Sequence, residues 1–321
     1  MFLIDFIYSQ LFITLPYPMS DLLGKAIIVT GSNVGLGLEA ARHFTRLNAD
    51  KVILGVRNLE KGEAAKKSIE ETTNRLGVVE VWQLDLASYE STKQFVKRAE
   101  GLKRLDAVVE NAGISTRRYQ VAEDNESTIT TNVVSTYLLA LMILPKLRET
   151  ATKFNTTPHL TFVSSEVHSF TSFPEKNSPN IFKTLSDKET ANMADRYHVS
   201  KLLEVFYTRE LAARVKWSGK PEVIINYLDP GFCHSELVRD AGWKLAIFKF
   251  LFARTTEHGS RTLVHAAEAG PESHGQYLSS CSVSEPSPLV RSEEGAKAQK
   301  QVWDELSQKL ENIQPRIMTN V

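Results

Sequence analysis

The chain has 321 residues, enough for one large α/β domain or two small ones. Lysine plus arginine and aspartate plus glutamate both number 38, and this neutrality argues against nucleic acid as a main partner. Two cysteines, Cys233 and Cys281, provide neither a disulfide framework nor a zinc spacing, so no metal is expected and a reducing compartment, the cytoplasm, suits the chain.

Residues 1–18 are apolar and aromatic but carry Asp5, Ser9 and Gln10 and are broken by Pro16 and Pro18. Roughly fifteen residues span about 22 Å as a helix, short of a ~30 Å bilayer core. The stretch lacks the basic start and cleavage site of a signal peptide. Two readings stay open for residues 1–23: an arm packed on the domain, or a segment associating peripherally with a membrane surface. No transmembrane span is expected.

From residue 24 to 321 strand and helix patterns alternate, which predicts a single α/β domain, a doubly wound parallel sheet of Rossmann type with helices on both faces. Strands are predicted at 25–29, 52–56, 78–84, 106–109, 159–163, 223–228 and, last and short, 276–278. Helices are predicted at 38–44, 61–73, from a Ser88 cap to about Glu100, and over 127–147, 195–215, 257–269 and 292–312. Residues 166–194 are polar, contain Pro174 and Pro179, and read as a long loop. Residues 236–256 are unusually aromatic, and 242–252 have the spacing of an amphipathic helix over an apolar pocket, or of a dimer or membrane contact.

The stretch organising the chain is Thr30-Gly31-Ser32-Asn33-Val34-Gly35-Leu36-Gly37. A buried strand precedes it and a helix follows. Glycine permits positive φ and close backbone approach, and the free N–H groups of a helix start favour a phosphate. The spacing is G-x-x-x-G-x-G rather than the better-known G-x-G-x-x-G. Arg57 ends the second strand, where an acidic residue would hold the ribose of NAD or an arginine the 2′-phosphate of NADP. With no acid there and Lys61 one turn on, NADP is preferred. Asp85 ends the third strand, placed either to accept from an adenine amine or to cap its own turn. Asn111-Ala112-Gly113 follows the fourth strand, where small residues let a cofactor lie flat. Tyr197 and Lys201 stand at i and i+4, one helical turn apart. A free phenol has a pKa of about 10, and a neighbouring cation lowers it. Ser164 and Ser165 end the fifth strand, and Asn132 sits inside the long helix, where it is expected to interrupt the ladder and hold a water.

In this order, these motifs with Pro230-Gly231 make residues 24–280 resemble the short-chain dehydrogenase/reductases. Gly55-Val56-Arg57-Asn58 and the long gap from Ser165 to Tyr197 resemble the retinol dehydrogenase and WW-domain oxidoreductase branch. The arm and residues 32–43 look like filamentous-fungal members, several of which serve natural-product pathways. The resemblance implies a catalytic set of Asn132, Ser165, Tyr197 and Lys201. It implies cofactor contacts from Gly31, Asn33, Gly35, Leu36, Gly37, Arg57, Lys61 and Asp85. Further contacts are implied from Asn111, Ala112, Gly113, Tyr197, Lys201, the loop Pro230-Gly231-Phe232 under the nicotinamide, and Ser235. Two departures stand out. Glu110 replaces a commoner asparagine, and Asp229 precedes Pro230 where His or Asn is commoner.

The implied activity is NADPH-dependent reduction of a lipophilic ketone or aldehyde, reversible, as a step in secondary-metabolite biosynthesis, by a homo-oligomer such as a dimer. Tyr197 would donate the proton, Ser165 would hydrogen-bond the oxygen, and Lys201 would lower the tyrosine pKa and hold the ribose. Residues 166–194 and 242–252 would shape the substrate site. Oxidation of an alcohol is the alternative within the class; a non-redox NADP-binding scaffold or cyclase is the alternative outside it.

Overall fold

The computed structural model describes residue 10 and residues 12–234 and 253–321. Residues 242–252, with their expected amphipathic helix, and Ser235 lie outside the described residues.

Short apolar runs buried on both sides form the central strands, which is what a sheet covered on both faces requires. In chain order the elements begin β1 (Ala26–Thr30), α1 (Gly35–Arg46), β2 (Lys51–Val56), α2 (Leu59–Thr73), β3 (Val79–Gln83), α3 (Tyr89–Glu100) and β4 (Ala107–Glu110). A two-stranded hairpin follows, β5 (Val121–Ala122) and β6 (Asn125–Glu126), then the long helix α4 (Ser127–Phe154) and β7 (His159–Val163). The chain continues through α5 (Ile181–Leu185), α6 (Arg196–Trp217), β8 (Ile224–Asp229) and α7 (Thr256–Ala266). It closes with β9 (Tyr277–Ser279), β10 (Ser282–Ser284), α8 (Pro288–Arg291) and α9 (Glu293–Ile313).

The sheet order is β3-β2-β1-β4-β7-β8-β9-β10, parallel as far as β9. The register sets Ile28 opposite Ile53 and Val108, so apolar side chains stack in rows across the sheet. On one face α3, α4, α6 and α9 bury Phe95, Leu138, Leu203 and Leu306; on the other α1, α2 and α7 bury Phe44, Ile69 and Leu263. The strand order reverses direction between β1 and β4, and a crevice opens there outside the carboxyl ends of the strands.

Most expected elements appear within a residue or two of their predicted ends, and three differences have physical reasons. Residues 166–194 are not a plain loop: 3₁₀ turns at Glu166–Ser169 and Pro174–Asn177 and helix α5 fold it, with Ile181, Phe182 and Leu185 buried. The strand at 276–278 is not the last. A tight turn with Ser280 and Cys281 at positive φ returns the chain as antiparallel β10, whose Ser-Val-Ser carries no buried apolar pattern to betray it. Helix α4 runs seven residues past Leu147, to Phe154. Among the described residues α4 is the one helix long and apolar enough to cross a bilayer, and 94% of its apolar window is buried inside the protein.

The described part of the N-terminal segment lies against α1 and α7. Leu15 is fully buried, its N–H donates to Nε2 of His258 at 3.1 Å, and its carbonyl accepts from Arg261 at 2.9 Å. The Tyr17 ring has Arg46 4.0 Å and Arg261 5.0 Å from its centroid, cation–π contacts that tie the segment to both helices.

Candidate active site

The glycine turn brings β1 against β4. Gly31 has φ of +65°, and a Cβ there would lie 2.8 Å from the Cα of Ala112, so nothing larger fits that approach. Gly35, also at +65°, faces open space. Helix α1 starts at Gly35 with Val34 as an N-cap that makes no side-chain bond and with no acid in its first turn. Its first N–H groups are therefore available to an anion. A Cβ on Gly37 would meet Nδ2 of Asn111 at 2.5 Å, which keeps α1 tight against the turn. Asn33 and Leu36 are half-buried in the same turn.

Thr30 fastens the two strand ends. Its Oγ1 accepts from the N–H groups of Asn111 and Ala112, both at 3.0 Å, and faces Oε2 of Glu110 at 3.2 Å. Asn111 Nδ2 donates to the Thr30 carbonyl at 2.9 Å. Asn111, Ala112 and Gly113 thus form a small-residue ledge beside the turn. Glu110 is buried beneath it, and desolvation pushes its carboxyl up to about 8.

At the far end of the crevice Arg57 is exposed at the end of β2, and among the described residues no carboxylate pairs with its guanidinium. Lys61 is exposed on the first turns of α2, its N–H capped by Asn58. Asp85 caps its own turn, Oδ1 accepting from the Ala87 N–H at 3.0 Å. Of its two expected uses, the local one therefore engages Oδ1.

The other end is buried. The ladder of α4 is interrupted as expected, by a π-turn over Thr130–Val134. Asn132, in this turn, pairs with the backbone of Ile114 through both ends of its amide, Oδ1 accepting at 2.8 Å and Nδ2 donating at 2.9 Å. Its Nδ2 also donates to Ser200 Oγ at 3.0 Å, and that hydroxyl donates to the Tyr197 carbonyl. At the end of β7 the two serines divide. Ser164 is buried and donates to the Lys201 carbonyl at 3.1 Å, while Ser165 is half-buried and caps the next 3₁₀ turn.

Tyr197 is half-buried on α6, with Nζ of Lys201 5.8 Å from its ring centroid. The ammonium donates to the Val163 carbonyl at 2.8 Å and to the two oxygens of Glu204 at 2.8 and 3.1 Å. Burial pushes the Tyr197 phenol well above its ordinary range, and the charges of Glu204 and Asp229 push it further. In this arrangement burial first, and then the Glu204 and Asp229 charges, outweigh the lowering expected from Lys201. Glu204 escaped the sequence reading although it extends the 197/201 stripe by one more turn of the same helix.

The Pro230-Gly231-Phe232 loop leaves β8 with Pro230 buried and Gly231 at φ +78°. Asp229 Oδ1 accepts from the N–H of Gly231 and from that of Glu166, both at 3.1 Å, and so joins this loop to the serine loop. Glu166, beside Ser165, is pushed up to about 7 by burial and by the Asp229 charge. His168 supports the same loop, its Nδ1 on the Ser165 carbonyl at 2.7 Å and its Nε2 accepting from Ser287 N–H at 3.0 Å. Neither the Asp229 bridge nor His168 carries a local sequence signal, since both depend on segments far apart in the chain.

A dinucleotide fits these residues. The uncapped helix start and the open space at Gly35 suit a pyrophosphate, the 111–113 ledge admits a flat approach, and two cations, Arg57 and Lys61, are exposed beyond the end of β2. Residues 25–154 match the short chain dehydrogenase family model. The short chain dehydrogenase/reductase dmxR8 of Cryptosporiopsis sp. (strain 8999) is 51% identical over 325 residues, 98% of this chain and 99% of that protein. Two solved structures share the fold. The RhlG/NADP active-site complex of Pseudomonas aeruginosa has a TM-score of 0.62 at 20% identity, covering 82% of this chain and 97% of that one. The 3-ketoacyl-(acyl-carrier-protein) reductase of Brucella melitensis, complexed with NADH, has a TM-score of 0.59 at 19% identity, covering 81% and 97%. The parallel sheet, the glycine turn and the extent of this likeness lead to one conclusion: the chain belongs to the short-chain dehydrogenase/reductases, a family of oxidoreductases.

Proposed function

We propose that the chain is an NADPH-dependent carbonyl reductase that converts a lipophilic ketone or aldehyde to an alcohol, reversibly, in the cytoplasm and within a fungal natural-product pathway. The observation that carries the reading is the stripe on α6, with Nζ of Lys201 5.8 Å from the Tyr197 ring centroid and donating to Val163 at the end of β7, two residues before Ser165. The bound nicotinamide supplies the hydride. Tyr197 donates its proton to the substrate oxygen, and Ser165 hydrogen-bonds the same oxygen, the Ser164 hydroxyl being engaged by the Lys201 carbonyl. Lys201 holds the ribose. Asn132, fixed on Ile114, ties α4 to α6 through Ser200. Arg57 and Lys61 select the 2′-phosphate, which only NADP carries. The lipophilic substrate class is supported by the aromatic composition of residues 242–252, and the pathway by likeness to the fungal relative.

The test mixes the purified chain with NADPH and a panel of ketones and aldehydes and follows the reduced-nicotinamide absorbance. Turnover of at least one apolar carbonyl is expected. Tight NADPH binding with no turnover of any would favour a cofactor-binding protein without redox activity.

A further inference from the structure

Lys201 has no donor left over. An ammonium carries three protons, and here they go to the Val163 carbonyl and the two oxygens of Glu204. Yet the ribose role proposed for Lys201 needs at least one of them. Glu204 stands three residues beyond Lys201 and seven beyond Tyr197, on one face of α6, and both members of the ion pair are almost wholly buried.

The surroundings of Glu204 are equally specific. From β7, the Ser164 hydroxyl faces its carboxyl. From α4, the Tyr137 hydroxyl donates to its main-chain carbonyl at 2.7 Å, and this phenol is itself held neutral by burial. From β4 comes the second carboxyl, Glu110, whose Oε2 faces Thr30 and whose Oε1 has no partner among the described residues. From β8, Asp229 acts on the neighbouring Tyr197. Lys201 is thus paired with one buried carboxyl, Glu204, while a second, Glu110, is buried on β4, and two such groups cannot both ionise cheaply. Burial pushes Glu204 up to about 7, against the pull of Lys201, and Glu110 up to about 8, with the Glu204 charge adding to the rise.

We propose that Glu204 is a positioning residue that competes with the cofactor for Lys201, withholding the ammonium as a carboxylate and releasing it when it takes up one proton from solvent. No bond to carbon changes in this step: Glu204 gains a proton, Lys201 keeps its three, and the hydrogen bonds given up by Glu204 pass to the ribose hydroxyl. Cofactor binding is therefore accompanied by proton uptake. The same uptake frees the ammonium's field to act on Tyr197, which restores the lowering of the phenol that the arrangement described above lacks. The inference rests on the roles of Tyr197 and Lys201 under the proposed function.

The experiment measures the dissociation constant of NADPH by quenching of protein fluorescence, from about pH 7 to 9, for the wild type, Glu204→Gln and Glu204→Asp. The wild type is expected to lose affinity with rising pH, approaching about tenfold per unit, the slope for one linked proton. Glu204→Gln should bind with affinity independent of pH, and Glu204→Asp, which keeps the charge, should restore the slope. An unchanged slope in Glu204→Gln overturns the proposal. If that variant does not fold, a wild-type affinity that stays constant from about pH 7 to 9 overturns it instead. Turnover of Tyr197→Phe and Lys201→Met, measured alongside, separates the two failures. If both lose activity while Glu204→Gln keeps the wild-type slope, only the competition falls; if both keep activity, the reading of the site falls with it.

Discussion

The two ends of the crevice use positive charge in opposite ways. At the Arg57 end, Arg57 and Lys61 are exposed, and among the described residues neither is paired with a carboxylate. At the Lys201 end the cation is buried, fully hydrogen-bonded and balanced by the Glu204 carboxyl. An exposed cation acts by what it touches, because solvent screens the rest. A buried one acts by what it is paired with, since exchanging the partner alters the field on every neighbour. The first arrangement suits discrimination between two cofactors, the second suits control of a proton.

The contrast breaks most sharply at Tyr197. Tyr197→Phe removes the proton donor with little change of volume, and turnover is expected to fall by about 10²–10⁴-fold while NADPH affinity is nearly kept. Steady-state rates beside a binding titration check this; a variant retaining more than about a tenth of the rate would move the proton to another group.

Arg57→Ala tests the exposed end. Charge-assisted bonds to a phosphate contribute about 1.5–3 kcal/mol, so NADPH affinity should fall roughly 10- to 150-fold and NADH affinity hardly change. Equal losses for both cofactors would remove Arg57 from the 2′-phosphate.

A third, smaller effect concerns stability at the buried end. Glu110 and Glu204 hold protons in the fold that the unfolded chain releases near the ordinary value of 4.5. Their raised values make the fold relatively most stable below that pH, and this contribution is lost as pH rises through about 7 and then 8. Thermal melts of the wild type should therefore show a falling Tm over that window, and Glu110→Gln should flatten the fall. A Tm equally steep in the variant would place the pH dependence elsewhere.

The smallest effect is expected far from both ends. Tyr17→Ala removes two cation–π contacts and should cost about 1–2 kcal/mol in a urea titration, with NADPH affinity unchanged. A loss of affinity beyond about threefold would connect this segment to the crevice.

The exposed end was more legible in the sequence than the buried one, and the reason is range. The glycine turn, Arg57, Lys61 and the Asn111-Ala112-Gly113 ledge declare themselves within a few residues of a strand end. So does the helix spacing of Tyr197 and Lys201, and the parallel fold followed from apolar runs alternating with amphipathic ones. What stayed hidden depends on segments meeting across the fold. Glu110 was visible as a departure, but that it would be buried close to Glu204 depends on β4 and α6 meeting. The bridge from Asp229 to Glu166 and Gly231 joins residues 63 apart. Within 166–194 the apolar side chains Phe173, Ile181, Phe182 and Leu185 are buried, too few to outweigh a polar composition in the sequence.

The π-turn in α4 has a consequence for how this helix tolerates change. A turn of five residues holds one more than the lattice of a regular helix, and that surplus residue is what carries Asn132 to Ile114. Removing a single residue between Thr130 and Val134 would let the helix close into an ordinary ladder, a local gain in regularity. The flanks would keep their phase, because the π-turn absorbs its extra residue locally, so the buried residues from Tyr137 to Leu147 would stay in the core. What the deletion would remove is the bulge that carries Asn132 to Ile114. The loss would therefore fall on the site rather than on the fold, and the irregularity is inherited as a count of residues rather than as any one of them.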